Sequence, residues 1–314
     1  MLNWLKKFFR GRSFDTTQMN RLDRLREILR QKLAQGELPL PRVIALETRS
    51  RCNGQCEYCI ASIHTDPRPD VLMDDGLIDK ILNELAQLRY SNRLSFYHTN
   101  EPLLDERIFA IVGQARRLLP YAYLELKTNG RKLTLEKLMM LFEQGLDMLY
   151  VNDYQTEADV LAGRHGESVQ KVLDGLQGVR RFRGHFDGKR FYDRVIVQLR
   201  SREIVMGARA GSSPNHPGIK ETLHKPCLRP FEHMIIGSEG QVGLCGEDAL
   251  IQVQMGRVGE DSIYSIWHNE EYQRVRLALL DGNRHCKPTC AQCDSKGVTG
   301  EIFAEYGLTS QERG

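Results

Sequence analysis

No stretch of this chain approaches the roughly 18 consecutive apolar residues that a membrane-spanning helix requires. Near its start there is no apolar segment followed by a small-residue cleavage site, so no secretory signal is expected and the expected compartment is the cytoplasm. An excess of one charge is missing too: 44 basic residues against 41 acidic leave a formal net charge of +3. That balance argues against a nucleic-acid binder relying on gross charge, and no nucleic-acid partner is expected. In a chain of this intracellular character, eight cysteines read as metal ligands or reactive thiols before disulfides.

The 314 residues, 41% hydrophobic and 27% charged, suffice for one barrel-sized domain and a small appendage. Three cysteines fall within Cys52-Asn53-Gly54-Gln55-Cys56-Glu57-Tyr58-Cys59. Thiolates so spaced can wrap one polymetallic centre and leave its fourth corner open, and an open iron suits a ligand that exchanges or reacts. Three loop thiols, or part of a zinc site, would fit the same spacing. The loop follows an apolar run of buried-strand type at 43–48 and precedes a long alternation of strands and helices.

Residues 1–12 set Leu2, Trp4, Leu5, Phe8 and Phe9 among Lys6, Lys7, Arg10 and Arg12. This suits a helix lying on a membrane surface, or an arm docking on the chain's own body or on a partner. A helix is expected from near Asp15 to Gln35, ended by Gly36 and Pro39. Further helices are expected from Asp74 or Asp75 through Leu88, from Ile108 to Pro120, at 134–144, and around Val169, Val172, Leu173, Leu176 and Val179. Strands are expected at 94–98, 121–127, 148–151 and 195–199. Such alternation implies a parallel sheet with right-handed crossovers, whose chemistry gathers at the C-terminal strand ends. Residues 201–225 are polar and broken by Gly207, Gly211, Pro214 and Pro217, with little room for another full unit. The expected fold class is α/β, a partial TIM-like (β/α) barrel of five strands and a short sixth.

With these features the chain resembles the radical SAM enzymes, whose CxxxCxxC loop carries a [4Fe-4S] cluster with S-adenosylmethionine (SAM) on its open iron. The resemblance makes Cys52, Cys56 and Cys59 cluster ligands. Thr99-Asn100-Glu101-Pro102 occupies the slot of the family's Gly-Gly-Glu-Pro motif, which holds the SAM amino group; Glu101 and Pro102 are kept, both glycines replaced. By the same resemblance Tyr58 packs beside adenine and Asn152 and Asp153 reach the ribose. Arg200 pairs with the SAM carboxylate, and Asn100 and Asn129 complete the strand-end contacts. Arg209-Ala210-Gly211 resembles a segment that ends the barrel in some relatives.

The remaining five cysteines lie between Cys227 and Cys293 and resemble the SPASM/twitch extension, in which a hairpin and a following helix hold auxiliary clusters. Here the hairpin turn falls at 238–241 and the helical part at 263–280. Five cysteines cannot complete two clusters, so one auxiliary [4Fe-4S] cluster on Cys227, Cys245, Cys290 and Cys293 is expected, with a zinc ribbon as the alternative. Cys286 is left over: a substitute ligand, an inert thiol, or a hydrogen-atom donor to a substrate radical. The expected divisions are an N-terminal arm at 1–41, the barrel at 42–211 and the cluster domain at 212–314.

The resemblance implies reductive cleavage of SAM to a 5′-deoxyadenosyl radical that takes hydrogen from a substrate C–H, with an electron donor such as flavodoxin or ferredoxin. The auxiliary cluster then suits a dehydrogenation, or an inversion at carbon using a Cys286-type donor. Forty-odd residues ahead of the barrel are too few for a peptide-recognition domain. A small polyol, aminocyclitol or sugar is therefore expected before a ribosomal peptide. An iron–sulfur electron carrier or zinc module is the reading from another class, and SAM binding separates it from an enzyme.

Overall fold

The structure is a computed structural model that describes residues 16–178 and 194–308. The arm expected at 1–12, and Val179 of the expected helix face, lie outside the described residues. By contacts the chain divides into a unit of Met1–Pro39 with Val298–Gly314 and a unit of Leu40–Gly297. In the smaller unit α1 (Thr16–Gln35) buries Leu25, Leu29 and Leu33 at helical spacing. There the Arg21 guanidinium lies 4.9 Å from the centre of the Phe303 ring.

The larger unit is built on one sheet in the order β5-β4-β3-β2-β1-β6-β7-β8. All four residues of β1 (Val43–Leu46) are buried, as befits a central strand covered on both faces. On one side it pairs in parallel with β2 (Arg93–Ser95), followed by β3 (Tyr123–Thr128), β4 (Met148–Gln155) and β5 (Val195–Ser201). Crossover helices join these strands. α2 (Asp75–Gln87) is capped by Asp74, whose carboxylate accepts from the Leu77 N–H, and it buries Ile78, Ile81, Leu82 and Leu85. α3 (Ile108–Leu118), α4 (Leu135–Glu143), α5 (Glu157–Leu161) and α6 (Glu167–Gly178) follow.

The sixth parallel strand comes from elsewhere than the break after β5. The regular element described in 201–225 is a 3-10 turn, Arg209–Gly211. After the short helix α7 (Arg229–Glu232), β6 (His233–Ile236) pairs in parallel with β1, Ile44 opposite Met234. The expected hairpin then leads to β7 (Gln241–Gly243) and onward to β8 (Gln254–Arg257), both antiparallel. One sheet therefore runs across the expected domain boundary at 211/212. The sheet is not closed, consistent with a partial barrel.

Two sequence expectations shift. β4 runs on through Asn152 and Asp153, because its ladder with β5 continues to Gln155 opposite Ser201. The single helix expected at 263–280 is two: α8 (Ile263–Trp267) ends at His268, and α9 (Glu270–Leu280) restarts under Asn269. The Asn269 side chain accepts from the Tyr272 N–H at 2.8 Å, a cap that a continuous helix could not contain. Beyond lie a 3-10 turn, Arg284–Cys286, the short α10 (Pro288–Ala291), and α11 (Gly300–Glu305) in the smaller unit.

Candidate active site

At the C-terminal ends of β1 to β4, a cleft of about 560 Å³ is bordered by Cys52, Cys56 and Cys59. The cysteine loop is tied down from behind. Buried Glu47, just past β1, accepts from Arg68 at 3.1 Å and from the Thr99 N–H at 3.2 Å, while Arg68 also grips Asp66 at 3.0 Å. Gly54 lies against the sulfurs: its N–H donates to Cys52 Sγ at 3.2 Å, and a Cβ there would meet that sulfur at 3.2 Å and Cys56 Sγ at 3.9 Å. Burial, with Glu101 as a further contribution, pushes the Cys52 thiol up to about 12; burial and Cys59 push Cys56 up to about 11. Such thiols give up their protons only to a cation that compensates the charge.

Glu101 organises the floor of the cleft. It is 1% exposed, and its carboxylate accepts from Thr128 Oγ1 at 2.6 Å, the Asn129 N–H at 2.6 Å and the Leu103 N–H at 3.0 Å. Asn129 in turn reaches the cysteine loop, donating from Nδ2 to Asn53 at 2.8 Å. The turn closes on Gly130, where φ is +77° and a Cβ would meet Val169 at 2.4 Å. Asn100, Asn129, Asn152 and Tyr58 all border the cleft, as the sequence suggested.

Asp153 and Arg200 do not border it. Side chains alternate along β4, so Asn152 and Tyr154 face the cleft while Asp153 points away, held by the Gly166 N–H at 3.0 Å and His165 at 2.8 Å. Arg200 donates to Gln198. The arginine at the cleft is Arg209, carried on a turn where Arg209 and Ala210 take φ of +47° and +52°. Tyr97, His98, Lys127 and Tyr154 complete the wall. Period-two alternation from Glu125 to Lys127 and from Asn152 to Tyr154 carried that information; Arg209 lay in the Arg209-Ala210-Gly211 segment noted as ending the barrel but not as a site residue, and for His98 no sequence signal existed.

Three buried polar atoms bordering the cleft have no hydrogen-bond partner within the protein: Asn100 Nδ2, Arg209 Nε and His98 Nε2. Orphaned groups of this kind are rare in a folded interior unless a ligand meets them. The Asn100 amide donor beside three open thiols fits an amino-acid-bearing cofactor held on a cluster.

A second cavity of about 370 Å³ is bordered by Cys227, Cys245, Cys290 and Cys293. The thiols are hard to ionise here as well. Burial raises Cys227 and Cys245, and pushes Cys293 up to about 11. Arg284, 1% exposed, borders the cavity with one terminal nitrogen unpartnered, and its charge favours the thiolates of Cys227 and Cys293. Among the described residues no three His, Cys, Asp or Glu side chains stand close enough to grip one metal ion. Thiols set around a cavity, with a buried cation beside them, fit an anionic metal–thiolate centre. Cys286 stands outside that lining and shares a hydrogen bond with Cys290, which pulls its own pKa down. It does not border the first cleft.

Two family models match the stretches that carry the two groups of cysteines. The radical SAM superfamily model matches residues 46–185, and that of SPASM, an iron–sulfur cluster-binding domain, matches residues 227–294. This chain belongs to the radical SAM superfamily. It is 28% identical over 267 residues to an S-adenosyl-L-methionine-dependent 2-deoxy-scyllo-inosamine dehydrogenase of Niallia circulans, covering 85% of this chain and 98% of that protein. The crystal structure of BtrN in complex with AdoMet and 2-DOIA superposes with a TM-score of 0.64 at 27% identity, over 82% of this chain and 94% of that one. A tungsten-containing aldehyde ferredoxin oxidoreductase cofactor-modifying protein of Pyrococcus furiosus is 30% identical over 140 residues, 42% of this chain and 38% of that protein. As a radical SAM enzyme with a SPASM domain, the chain uses SAM, a SAM-binding [4Fe-4S] cluster and an auxiliary iron–sulfur cluster. No helix among its described residues is long and apolar enough to cross a membrane.

The two cavities of this radical SAM enzyme adjoin. Arg209 borders the first, and the next residue, Ala210, borders the second. Thr99 Oγ1 donates to the Ala249 carbonyl at 2.8 Å, and His98 donates to the backbone of Asp248. The cleft wall is thereby stitched to the loop that follows Cys245.

Proposed function

We propose that this enzyme dehydrogenates a hydroxyl-bearing carbon of a small polyol, aminocyclitol or sugar, with 2-deoxy-scyllo-inosamine as the first compound to try. The adjacency of the two cavities carries this reading: a substrate at the Arg209–Ala210 wall lies between a SAM site and a second redox centre. The likeness to a named dehydrogenase over 98% of its length supports it.

Cys52, Cys56 and Cys59 would hold the first cluster, and Cys227, Cys245, Cys290 and Cys293 the second. When bound, SAM and its reduced cluster supply a radical able to take hydrogen from an unactivated C–H. The protein positions and excludes. Glu101 fixes the Thr128–Asn129 turn, so the Asn100 and Asn129 amides stand at set places on the floor. Tyr58 and Tyr154, with ring centres 5.8 Å apart, form an apolar wall that shields the reacting carbon from water. Arg209 offers a donor to a substrate oxygen, and buried Arg284 favours electron uptake by the second cluster. A flavodoxin or ferredoxin would supply the first electron.

The test is anaerobic reconstitution with iron and sulfide, followed by dithionite, SAM and a panel of polyols and aminocyclitols. Substrate-dependent 5′-deoxyadenosine with an equal amount of ketone is expected. Stimulation by a short peptide with no response to any polyol would replace this reading with peptide modification.

A further inference from the structure

Of the groups bordering the first cleft that can carry a proton, most are already committed. The Glu101 carboxylate accepts three hydrogen bonds from its own chain. Lys127 and Arg209 are cations with nothing to accept, and the tyrosine hydroxyls are phenols of high intrinsic pKa. The three cysteines face the cluster position. His98 differs from all of these. It is 4% exposed, its imidazole donates to the backbone of Asp248, and its Nε2 is buried with no partner. One ring nitrogen is the donor to Asp248, so the tautomer is set and Nε2 is left with a bare lone pair on a ring that borders the cleft.

We propose that His98 is the base that receives the hydroxyl proton of the substrate as its carbon is oxidised. This inference rests on the dehydrogenase reading above and names the residue that completes it. Removal of a hydrogen atom from the carbinol carbon leaves a hydroxyl-bearing carbon radical. To become a ketone, that radical must lose the O–H proton and one electron. The O–H bond would break with its proton going to His98 Nε2 as the C=O bond forms, and an auxiliary iron–sulfur cluster bound at the second cavity would supply the acceptor for the electron. His98 is placed for this, since its ring reaches both the cleft and the Asp248 loop bordering the second cavity. Proton and electron then leave on the same side of the substrate.

The surroundings keep the base in its working form. Burial, then the charges of Arg209 and Arg68, push His98 down to about 3, so the ring is neutral at any working pH. With a cluster bound at the second cavity, an added electron there would place negative charge nearby and favour the imidazolium.

The experiment uses the reconstituted full-length enzyme and 2-deoxy-scyllo-inosamine carrying deuterium at the carbon to be oxidised, with His98→Gln and His98→Asn run beside the parent. Both variants should keep the parent's iron content, its SAM affinity and deuterium transfer into 5′-deoxyadenosine, because C–H cleavage needs no base. Ketone should fall about a hundredfold, and an organic radical should accumulate in the electron paramagnetic resonance spectrum. Unchanged ketone yield would overturn the proposal. So would loss of SAM affinity, or an equal fall of 5′-deoxyadenosine and ketone, since either makes His98 a positioning residue. A parent enzyme that cleaves SAM but takes deuterium from no polyol overturns the oxidation itself and the role of His98 with it.

Discussion

Glu101 and Asn129 stand 28 residues apart in the chain and are joined by a 2.6 Å hydrogen bond from the Asn129 N–H to the Glu101 carboxylate. That bond ties the loop after β2 to the turn after β3, and Asn129 carries the tie on to Asn53 in the cysteine loop. Glu101→Gln replaces a carboxylate accepting three hydrogen bonds by an amide that has one acceptor oxygen. Loss of about 2 kcal/mol of stability is expected, with SAM binding weakened about tenfold, about 1.4 kcal/mol. Denaturant unfolding and equilibrium dialysis would measure both; a variant with parental SAM affinity would remove Glu101 from the site's support.

Arg209 is the cleft cation with an unpartnered nitrogen. In Arg209→Ala the KM for the oxidised substrate should rise about tenfold while SAM affinity stays near the parent's. A selective loss of SAM affinity would assign Arg209 to the cofactor instead.

Arg284 places a buried positive charge at the second cavity. Arg284→Gln should make the auxiliary cluster harder to reduce, so its midpoint potential moves to a more negative value while that of the first cluster holds. Redox titration reads this directly. A shift to a more positive potential would contradict the electrostatic argument.

Cys286 and Cys290 share a hydrogen bond, yet only Cys290 borders the second cavity. Cys286→Ser should retain the parent's iron, about eight atoms per chain for two four-iron clusters. Cys290→Ser should lose roughly half of it. Equal iron loss in both variants would make Cys286 a ligand.

His98 and His233 are each pushed by burial down to about 3 from an ordinary 6.5. Between those values the unfolded chain binds more protons than the folded one, so stability rises with pH there and is lost as pH falls below about 6.5. Urea unfolding at pH 5 and pH 7 should show the parent less stable at pH 5, with a smaller difference in His233→Gln. A flat profile would mean that these rings charge freely in the fold.

Much of this was legible in the residues. The Cys52–Cys59 spacing, the helical periodicities and the alternation of strands gave the class of fold and the first cluster loop, because all three are local patterns. The SPASM cysteines were legible as a group for the same reason. Asp153 shows the limit: its place next to Asn152 suggested a shared role, but the strand continued, and its period of two turned Asp153 away.

Sequence alone determined where the candidate cluster thiols lie and that strands alternate with helices, since both are written within a few dozen neighbouring residues. Tertiary structure decided which polar groups meet. β6 found β1 across nearly two hundred residues and made one sheet of two expected domains. That pairing set the Cys245 loop against the β2 end, where His98 meets Asp248, and Thr99 meets Ala249. Contacts so distant in the chain depend on how backbone hydrogen bonds and buried charges are satisfied together, and no local pattern encodes them.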